Sequence, residues 1–160
     1  MILVTIGTQL PFDRLISAID ALAPQLEEPV YAQIGDGAYQ PSNIEFVRTV
    51  PPAEFETRFR AARLIVAHAG IGTVLMAQKL NKPIVMFPRE ARFGEHRNDH
   101  QLATCRELAG RQGIYLARDS ETLLALLKQP DLASASVEQS LEHRERLVSG
   151  LRGFIQGQRS

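Results

Sequence analysis

The distribution of short apolar runs along this chain restricts its fold more than any other feature. Five of six short runs are apolar over most of their length, which is typical of strands buried on both faces of a sheet, and the run at residues 45–50 is half apolar. We predict strands at residues 1–6, 30–34, 45–50, 64–67, 84–87 and 114–117. Helical patterns separate them, after Pro11, at residues 52–62, 73–80 and 99–111, and after Ser120. Strands that alternate with helices predict an α/β fold with a Rossmann-like parallel sheet, and right-handed crossovers allow the strand order 3-2-1-4-5-6.

The composition sets limits on the class of protein and on its partners. Of the 160 residues, 44% are hydrophobic and 22% are charged, which is typical of a folded globular chain. Eighteen basic residues balance eighteen acidic ones, so we expect no nucleic-acid partner. The single cysteine, Cys105, falls inside a predicted helix, and we expect an inert, partly buried thiol in a reducing compartment. We find no secretory signal and no apolar run long enough to span a membrane, and therefore expect a cytoplasmic protein.

The chain divides into two parts. We expect residues 1–130 to form one α/β domain and residues 131–160 to form a helical tail. The tail carries an irregular apolar stripe made of Val137, Leu141, Leu147, Val148, Leu151, Phe154 and Ile155. Two interpretations stay open for it: a last helix that packs on its own domain, or a helix that binds a partner subunit or a membrane surface.

A glycine-bearing segment, residues 68–73, lies between the fourth predicted strand and the helix that follows it. Its sequence is His68-Ala69-Gly70-Ile71-Gly72-Thr73. Glycines allow a ligand to approach the backbone closely, and the free N–H groups at a helix N-terminus attract an anion. His68 can donate a hydrogen bond or supply charge, and the Thr73 hydroxyl can add a hydrogen bond. A diphosphate fits this description, although many such turns need glycine only for their geometry.

A second glycine-bearing loop follows the first predicted strand and runs from Gly7 to Asp13. In the order 3-2-1-4-5-6 the sheet reverses between strands 1 and 4, so both glycine loops meet at its carboxyl edge. Gly7 and Thr8 can line the crevice there, and Asp13 can cap the next helix or face an acceptor. Tight-turn geometry is the alternative explanation of this loop. The pattern and the topology both predict a ligand site between the two loops.

A polar loop at residues 88–98 leads into the helix that opens with Asp99, His100 and Gln101. These three side chains can bind hydroxyl groups at the mouth of the site, while a helix N-cap is the structural alternative for Asp99. His96 and His100 have the spacing of a metal-binding pair, but no third histidine or cysteine lies nearby, and we predict no metal site. The loop arginines at 89, 92 and 97 are either solvated or available to an anionic ligand.

Three motifs together resemble the glycosyltransferase family 28 C-terminal domain, namely Val66-Ala67-His68-Ala69-Gly70-Ile71-Gly72-Thr73, Lys82-Pro83-Ile84-Val85 and Asn98-Asp99-His100-Gln101. Residues 4–13 and 88–101 resemble the single-domain branch of this family, in which the donor half is a separate polypeptide. That branch includes a subunit of the dolichol-pathway N-acetylglucosaminyltransferase and bacterial exopolysaccharide subunits. The resemblance covers residues 1–117.

The resemblance implies the C-terminal, donor-binding half of an inverting GT-B glycosyltransferase. The donor would be a UDP-sugar, with no cofactor, and its diphosphate would be held by His68, Gly70, Gly72 and Thr73. The donor sugar or the ribose would meet Arg97, Asn98, Asp99, His100 and Gln101. The transferred sugar would be glucuronic acid or galactose, and a carboxylate on it could pair with Arg89, Arg92 or Arg97. One departure concerns Met76, because many family members have a glutamate there that binds the ribose hydroxyls.

Such a transfer needs a base that takes the proton of the acceptor hydroxyl. The candidates within this chain are Asp13 and His100. The other source is a membrane-anchored partner subunit that also binds the acceptor, a lipid-diphosphate-linked sugar, and that would keep this chain at the inner face of the membrane. Two other functions stay open, a non-catalytic subunit that stabilises its partner and a free-standing UDP-binding module.

Overall fold

A parallel sheet of six strands, in the order β3-β2-β1-β4-β5-β6, forms the centre of the computed structural model. The structure describes residues 1–8 and 10–137, so the predicted tail beyond residue 137 lies outside the described residues. The strands are β1 (Ile2–Thr5), β2 (Val30–Gln33), β3 (Glu45–Val47), β4 (Leu64–Ala67), β5 (Ile84–Met86) and β6 (Ile114–Leu116). The order reverses between β1 and β4, and this confirms the predicted fold class and strand order.

Within residues 1–8 and 10–137, five α-helices connect or follow the strands. They are α1 (Asp13–Leu22), α2 (Pro52–Ala61), α3 (Ile71–Lys79), α4 (His100–Leu108) and α5 (Ser120–Lys128). Several predicted strands were too long by one to three residues, because side chains such as Ile6 and Phe87 remain buried after the strand itself has ended. Among the described helices, none is long and apolar enough to cross a membrane.

The sheet is covered by helices on both faces. α1 and α5 pack on one face, where they enclose Val4 and Val66, and α2, α3 and α4 pack on the other. Every residue of β1, β2, β4 and β5 is buried, which explains why these strands are apolar runs without polar alternation. Cys105 is buried between the sheet and the helices α2, α3 and α4. Burial raises the pKa of its thiol to about 12, so the thiol stays protonated.

The described start of the C-terminal segment packs against the domain at Gly113. Ala135 is fully buried, and its N–H donates to the carbonyl of Lys82 at 3.2 Å. A Cβ atom on Gly113 would collide with the backbone of Ser134 and Ala135. Gly113 also has a φ of +82°, which side chains rarely adopt. The segment can therefore approach the sheet only because residue 113 has no side chain.

A pair of glycine variants tests this packing. Gly110 has a φ of +94° but no atom within 4 Å of its Cβ position, so Gly110→Ala should cost only the backbone strain, about 1 kcal/mol. Gly113→Ala should cost about 1 to 3 kcal/mol more, because it adds overpacking to a similar strain. Urea denaturation of both variants measures the free energy of unfolding, and equal losses would show that the contact with Ala135 contributes nothing.

Candidate functional site

A cavity of about 350 Å³ opens at the carboxyl ends of β1 and β4, between the β1–α1 loop and the β4–α3 loop. This is the place predicted from the sequence for a ligand. The wall of the cavity brings together seven of the predicted binding residues, Gly7, Thr8, His68, Gly70, Gly72, Thr73 and Gln101. The rest of the wall consists of the apolar residues Ile6, Leu10, Phe55 and Met76 and of Arg89 and His96.

The imidazole of His68 is wedged between the two glycine loops. A Cβ atom at Gly7, whose φ is +79°, would lie 2.9 Å from His68 Cε1, and one at Gly70 would collide with Nε2 of the same ring. Packing of the imidazole therefore requires these two glycines, whatever else they do. Gly72 differs, because no atom lies within 4 Å of its Cβ position. Of the three glycines, Gly72 is the one beside which a ligand finds open space.

Burial makes His68 a neutral side chain near pH 7. Burial lowers the pKa of its imidazole, the guanidinium of Arg89 lowers it further, and the result is a pKa of about 4. His68 was predicted to donate a hydrogen bond or to supply charge, and in the free chain only the hydrogen bond is available to it. Its Nδ1 atom is buried without a hydrogen-bond partner within the described part of the chain.

The N-terminus of α3 faces the same cavity. Gly70 is the N-cap residue, has an extended backbone and offers no side chain to cap the helix. The first N–H groups of a helix have no partner within it, so here they remain available to a ligand. Gly72 and Thr73, in the first turn, both line the cavity. This arrangement suits an anionic group such as a phosphate.

Arg89 is the cation of the site, and it is buried. Its side chain is only 3% exposed. Nη2 donates to the carbonyls of Ile6 at 2.8 Å and Leu10 at 2.6 Å, and so bridges the β1–α1 loop. The backbone N–H of Arg89 donates to Gln101 Oε1 at 3.0 Å. The sequence offered Arg89, together with Arg92 and Arg97, as a solvated charge or as a partner of a sugar carboxylate, and did not predict its role in holding the loop.

The guanidinium of Arg89 also contacts an aromatic ring beside the cavity. Its carbon lies 4.8 Å from the centroid of the Phe12 ring, which it can contact as a cation–π pair. Nε is buried and has no hydrogen-bond partner among the described residues. Because Arg89 lines the cavity, its positive charge acts on any ligand there.

The polar loop after β5 is fixed by a second buried charge. Glu90 is 2% exposed, and its carboxylate pairs with Arg118 at 2.9 Å, with Arg92 at 3.1 Å and with Arg14 at 3.7 Å. Burial alone would raise the pKa of this carboxyl, but the bond to Arg118 and the three positive charges lower it. The loop that carries the predicted sugar-binding residues is therefore anchored to the domain at Glu90.

Arg14 of α1 joins this loop to the domain at a second point. Nε and Nη2 of Arg14 donate to the two carboxylate oxygens of Glu95, at 2.9 and 3.0 Å, and Nη2 also donates to the carbonyl of Pro88. The guanidinium carbon lies 4.6 Å from the ring centroid of Phe87 and 4.4 Å from that of Phe93. Sequence reasoning did not identify Arg14 or Glu95, and no local pattern pairs two residues that are 81 positions apart.

Asp13 lies outside the wall of the cavity. Its carboxylate accepts hydrogen bonds from the backbone N–H groups of Ala38 and Tyr39, at 3.2 and 3.4 Å, and so ties the β2–β3 loop to α1. A Cβ atom at Gly37 would collide with this carboxylate. Its catalytic role stays a prediction, for which the described geometry gives no support.

The residues that open α4 are not equally close to the cavity. Gln101 lines it, whereas Asp99 and His100 are exposed and lie outside its wall. The Asp99 carboxylate accepts from the N–H of Ala91 at 2.8 Å and does not cap the helix, and Asn98 Oδ1 accepts from the N–H of His100 at 2.9 Å. The predicted contacts of Asp99 and His100 with a substrate stay predictions.

A second cavity of about 610 Å³ lies beside the first and is lined by Leu10, Gly94, Glu95, His96, Arg97 and Asn98. The two cavities share Leu10 and His96. Arg97 is exposed there and makes no ion pair within the described residues. Arg92 differs, because it pairs with Glu90 and stacks 4.5 Å over the Phe93 ring. Of the three loop arginines, Arg97 is therefore the one that has no ion-pair or hydrogen-bond partner among the described residues.

A metal ion has no evident binding place in this region. Among the residues that the structure describes, no group of three or more histidine, cysteine, aspartate or glutamate side chains is placed to hold one.

Comparison with known proteins identifies the relatives of this fold. The family profile of the glycosyltransferase family 28 C-terminal domain matches residues 1–146. MurG of Acinetobacter baumannii superimposes with a TM-score of 0.54 at 22% identity, and the glycosyltransferase of kitacinnamycin with 0.58 at 16%. A solution structure of ALG13 gives 0.57 at 16% identity. A comparison with curated protein sequences gave no match.

The relatives differ in how much of their length this chain represents. The alignments with the kitacinnamycin enzyme and with MurG each cover 79% of this chain, but only 34% and 39% of those two proteins. The alignment with ALG13 covers 91% of this chain and 93% of ALG13. At these identities the likeness to the three structures shows a shared fold.

The neutral state of His68 predicts how stability depends on pH. The unfolded chain takes up a proton at the ordinary histidine pKa of 6.5, whereas the folded chain does so at about 4. The stabilisation is complete above pH 6.5 and is lost as the pH falls towards 4. It should amount to roughly 2 to 3 kcal/mol between pH 7 and pH 4.5. The measurement is the free energy of unfolding of the wild type and of His68→Gln at both pH values, and an unchanged difference between them would contradict the prediction.

Proposed function

We propose that this chain binds the UDP-sugar donor of an inverting glycosyltransferase, because it belongs to the glycosyltransferase family 28 C-terminal domain family. The observation that carries the proposal is the cavity at the strand reversal, where the uncapped N-terminus of α3, His68 and Arg89 all border one volume. The N–H groups of α3 would donate hydrogen bonds to the diphosphate. The buried charge of Arg89 would attract the same group.

The same residues suit the chemical step. When the bond between the sugar and the diphosphate breaks, negative charge develops on the departing UDP. The N-terminus of α3 and the guanidinium of Arg89 lie beside the cavity before the reaction starts, so they can stabilise that charge without reorganising. Met76 lines the cavity where many family members have a glutamate, and its thioether offers the ribose no charged partner. We therefore assign most of the donor affinity to the diphosphate.

We propose that the donor sugar is a hexuronic acid, namely glucuronic acid, and not the hexose galactose. Arg97 lines the second cavity, next to the proposed donor site, and is free to pair with a carboxylate. Arg89 and Arg92 were equal candidates from the sequence, but Arg89 binds the β1–α1 loop and Arg92 pairs with Glu90.

We propose that a partner subunit binds the acceptor. The resemblance of residues 4–13 and 88–101 to the family branch in which the donor half is a separate polypeptide supports this assignment. A membrane-anchored partner would bind a lipid-diphosphate-linked sugar at the inner face of the membrane, and the product would be an exopolysaccharide precursor.

The proposed donor site is tested by calorimetric titration of the full chain with UDP, with ADP and GDP as controls. The wild type should bind UDP saturably, and Gly72→Asp should weaken binding about 100-fold or more. The reason is that the new carboxylate would stand where the diphosphate sits, and like charges brought together cost several kcal/mol. Gly72 has open space beside it, so the substitution itself fits the fold.

Ala125→Asp is the matched control, because Ala125 is exposed on α5 and borders neither cavity. It adds the same charge and should bind UDP as the wild type does. UDP affinity that is indifferent to Gly72→Asp, alone and in the presence of a co-purified partner, would favour a stabilising subunit without a donor site.

The choice of sugar is tested by comparing UDP-glucuronic acid with UDP-galactose. Arg97→Ala should lower the preference for UDP-glucuronic acid about 10- to 100-fold, the value of one hydrogen-bonded charge pair of about 1.5 to 3 kcal/mol. The affinity for UDP-galactose should not change. Competition binding measures this preference, with the exposed α4 residue Arg106 replaced by alanine as the control. An unchanged preference in Arg97→Ala would remove the uronic acid assignment.

A further inference from the structure

His96 occupies a position that the proposed function does not yet use. Its imidazole borders both cavities, the one proposed for the donor diphosphate and the adjoining one that contains Arg97. Only Leu10 shares this position among the described residues, and its side chain is apolar. With the diphosphate in the first cavity and the sugar beside Arg97 in the second, as proposed above, the bond that breaks would lie at this boundary.

The imidazole is not committed to any structural bond. Within the described residues neither of its nitrogen atoms makes a hydrogen bond, and Nδ1 is buried without a partner. Buried polar atoms are almost always paired in folded proteins. His96 lines both cavities, and no structural hydrogen bond among the described residues holds its imidazole away from a ligand there.

The other ionisable side chains of the two cavities have fixed tasks or the wrong chemistry. Glu95 gives both carboxylate oxygens to Arg14, and one of them also accepts from the N–H of Glu90. His68 is held beneath the glycine loops with a pKa of about 4, so it is a weak base near pH 7. Arg89 and Arg97 are cations and accept no proton.

The segment that carries His96 is held in place by the bonds of its neighbour. Glu95, the preceding residue, is bound by both Nε and Nη2 of Arg14, and the planar geometry of such a pair fixes orientation as well as distance. Glu90 fastens the start of the same loop to Arg118. The backbone that carries His96 is thus positioned by α1 and by the segment between β6 and α5.

We propose that His96 is the general base of the transfer, an inference that rests on the function proposed above. Its imidazole accepts the proton of the acceptor hydroxyl while the hydroxyl oxygen forms a bond to the anomeric carbon of the donor sugar. The bond from that carbon to the diphosphate oxygen breaks, UDP leaves with the electron pair, and the imidazolium then releases its proton to water. The assignment places the base in this chain and not in the acceptor-binding partner.

The test uses membranes of the source cells from which this chain has been removed, supplied with the purified full chain. Transfer of radiolabelled sugar from UDP-glucuronic acid and from UDP-galactose to the lipid fraction is measured. His96→Ala should lower the transfer rate about 100- to 1,000-fold, the usual contribution of a general base. UDP affinity should stay within about threefold, since the base acts on the acceptor.

Added imidazole separates a base from a structural residue. The space left in His96→Ala admits free imidazole, which should restore transfer at least about tenfold because it supplies the missing proton acceptor. His96→Gln fills that space with an amide that is no base, so it should be as slow as His96→Ala and should not respond to imidazole.

Four results decide the matter. Transfer by His96→Ala at the wild-type rate, with UDP bound normally, would overturn this inference and leave the proposed donor site intact. Loss of transfer in parallel with loss of UDP affinity, without rescue, would overturn it by making His96 a binding residue. A greater loss in Asp13→Asn or His100→Gln, measured beside it, would move the base to one of those residues. Absence of both UDP binding and transfer in the wild type would instead overturn the proposed function.

Discussion

The carboxyl edge of the sheet depends on one buried guanidinium. A buried cation is costly unless it is hydrogen-bonded or paired, and Arg89 meets this requirement with the carbonyls of Ile6 and Leu10 and with the face of Phe12. The bonds that satisfy the charge also give the β1–α1 loop its shape. The same charge contributes to keeping His68 neutral. Arg89 therefore contributes to the shape of the loop, to the neutral state of His68 and to the positive potential of the cavity.

A second set of charges extends this organisation to the mouth of the site. Glu90 is surrounded by Arg14, Arg92 and Arg118, and Arg14 also forms an ion pair with Glu95. Most isolated ion pairs on protein surfaces contribute little, but here the central carboxylate is buried and the partners come from α1, the loop and the segment between β6 and α5. A loop rich in charged residues, which the sequence alone suggests to be solvated, is in this way tied to the domain.

Much of the fold and the location of the candidate cavity follow from the sequence, since both depend on local patterns. Apolar runs mark strands that helices cover on both faces, and topology then brings Gly7 and Gly70 to one edge. The individual partners could not be predicted, because they depend on contacts between distant residues. Nothing local distinguishes Arg89, which is buried, from Arg97, which is exposed. Asp13 holds a loop 25 residues away, and no sequence pattern separates that role from one in catalysis.

The parallel arrangement of the sheet has a consequence for the order of events during folding. β1 pairs with β4 across 62 positions of the sequence, from Ile2 to Leu64, and the wall of the cavity draws on residues from Ile6 to Gln101. Contacts that join such distant positions require large loops to close first, which slows folding compared with helical domains of the same size. During synthesis the cavity cannot be complete before Gln101 has left the ribosome. The cavity is thus a late product of folding, formed together with the sheet itself.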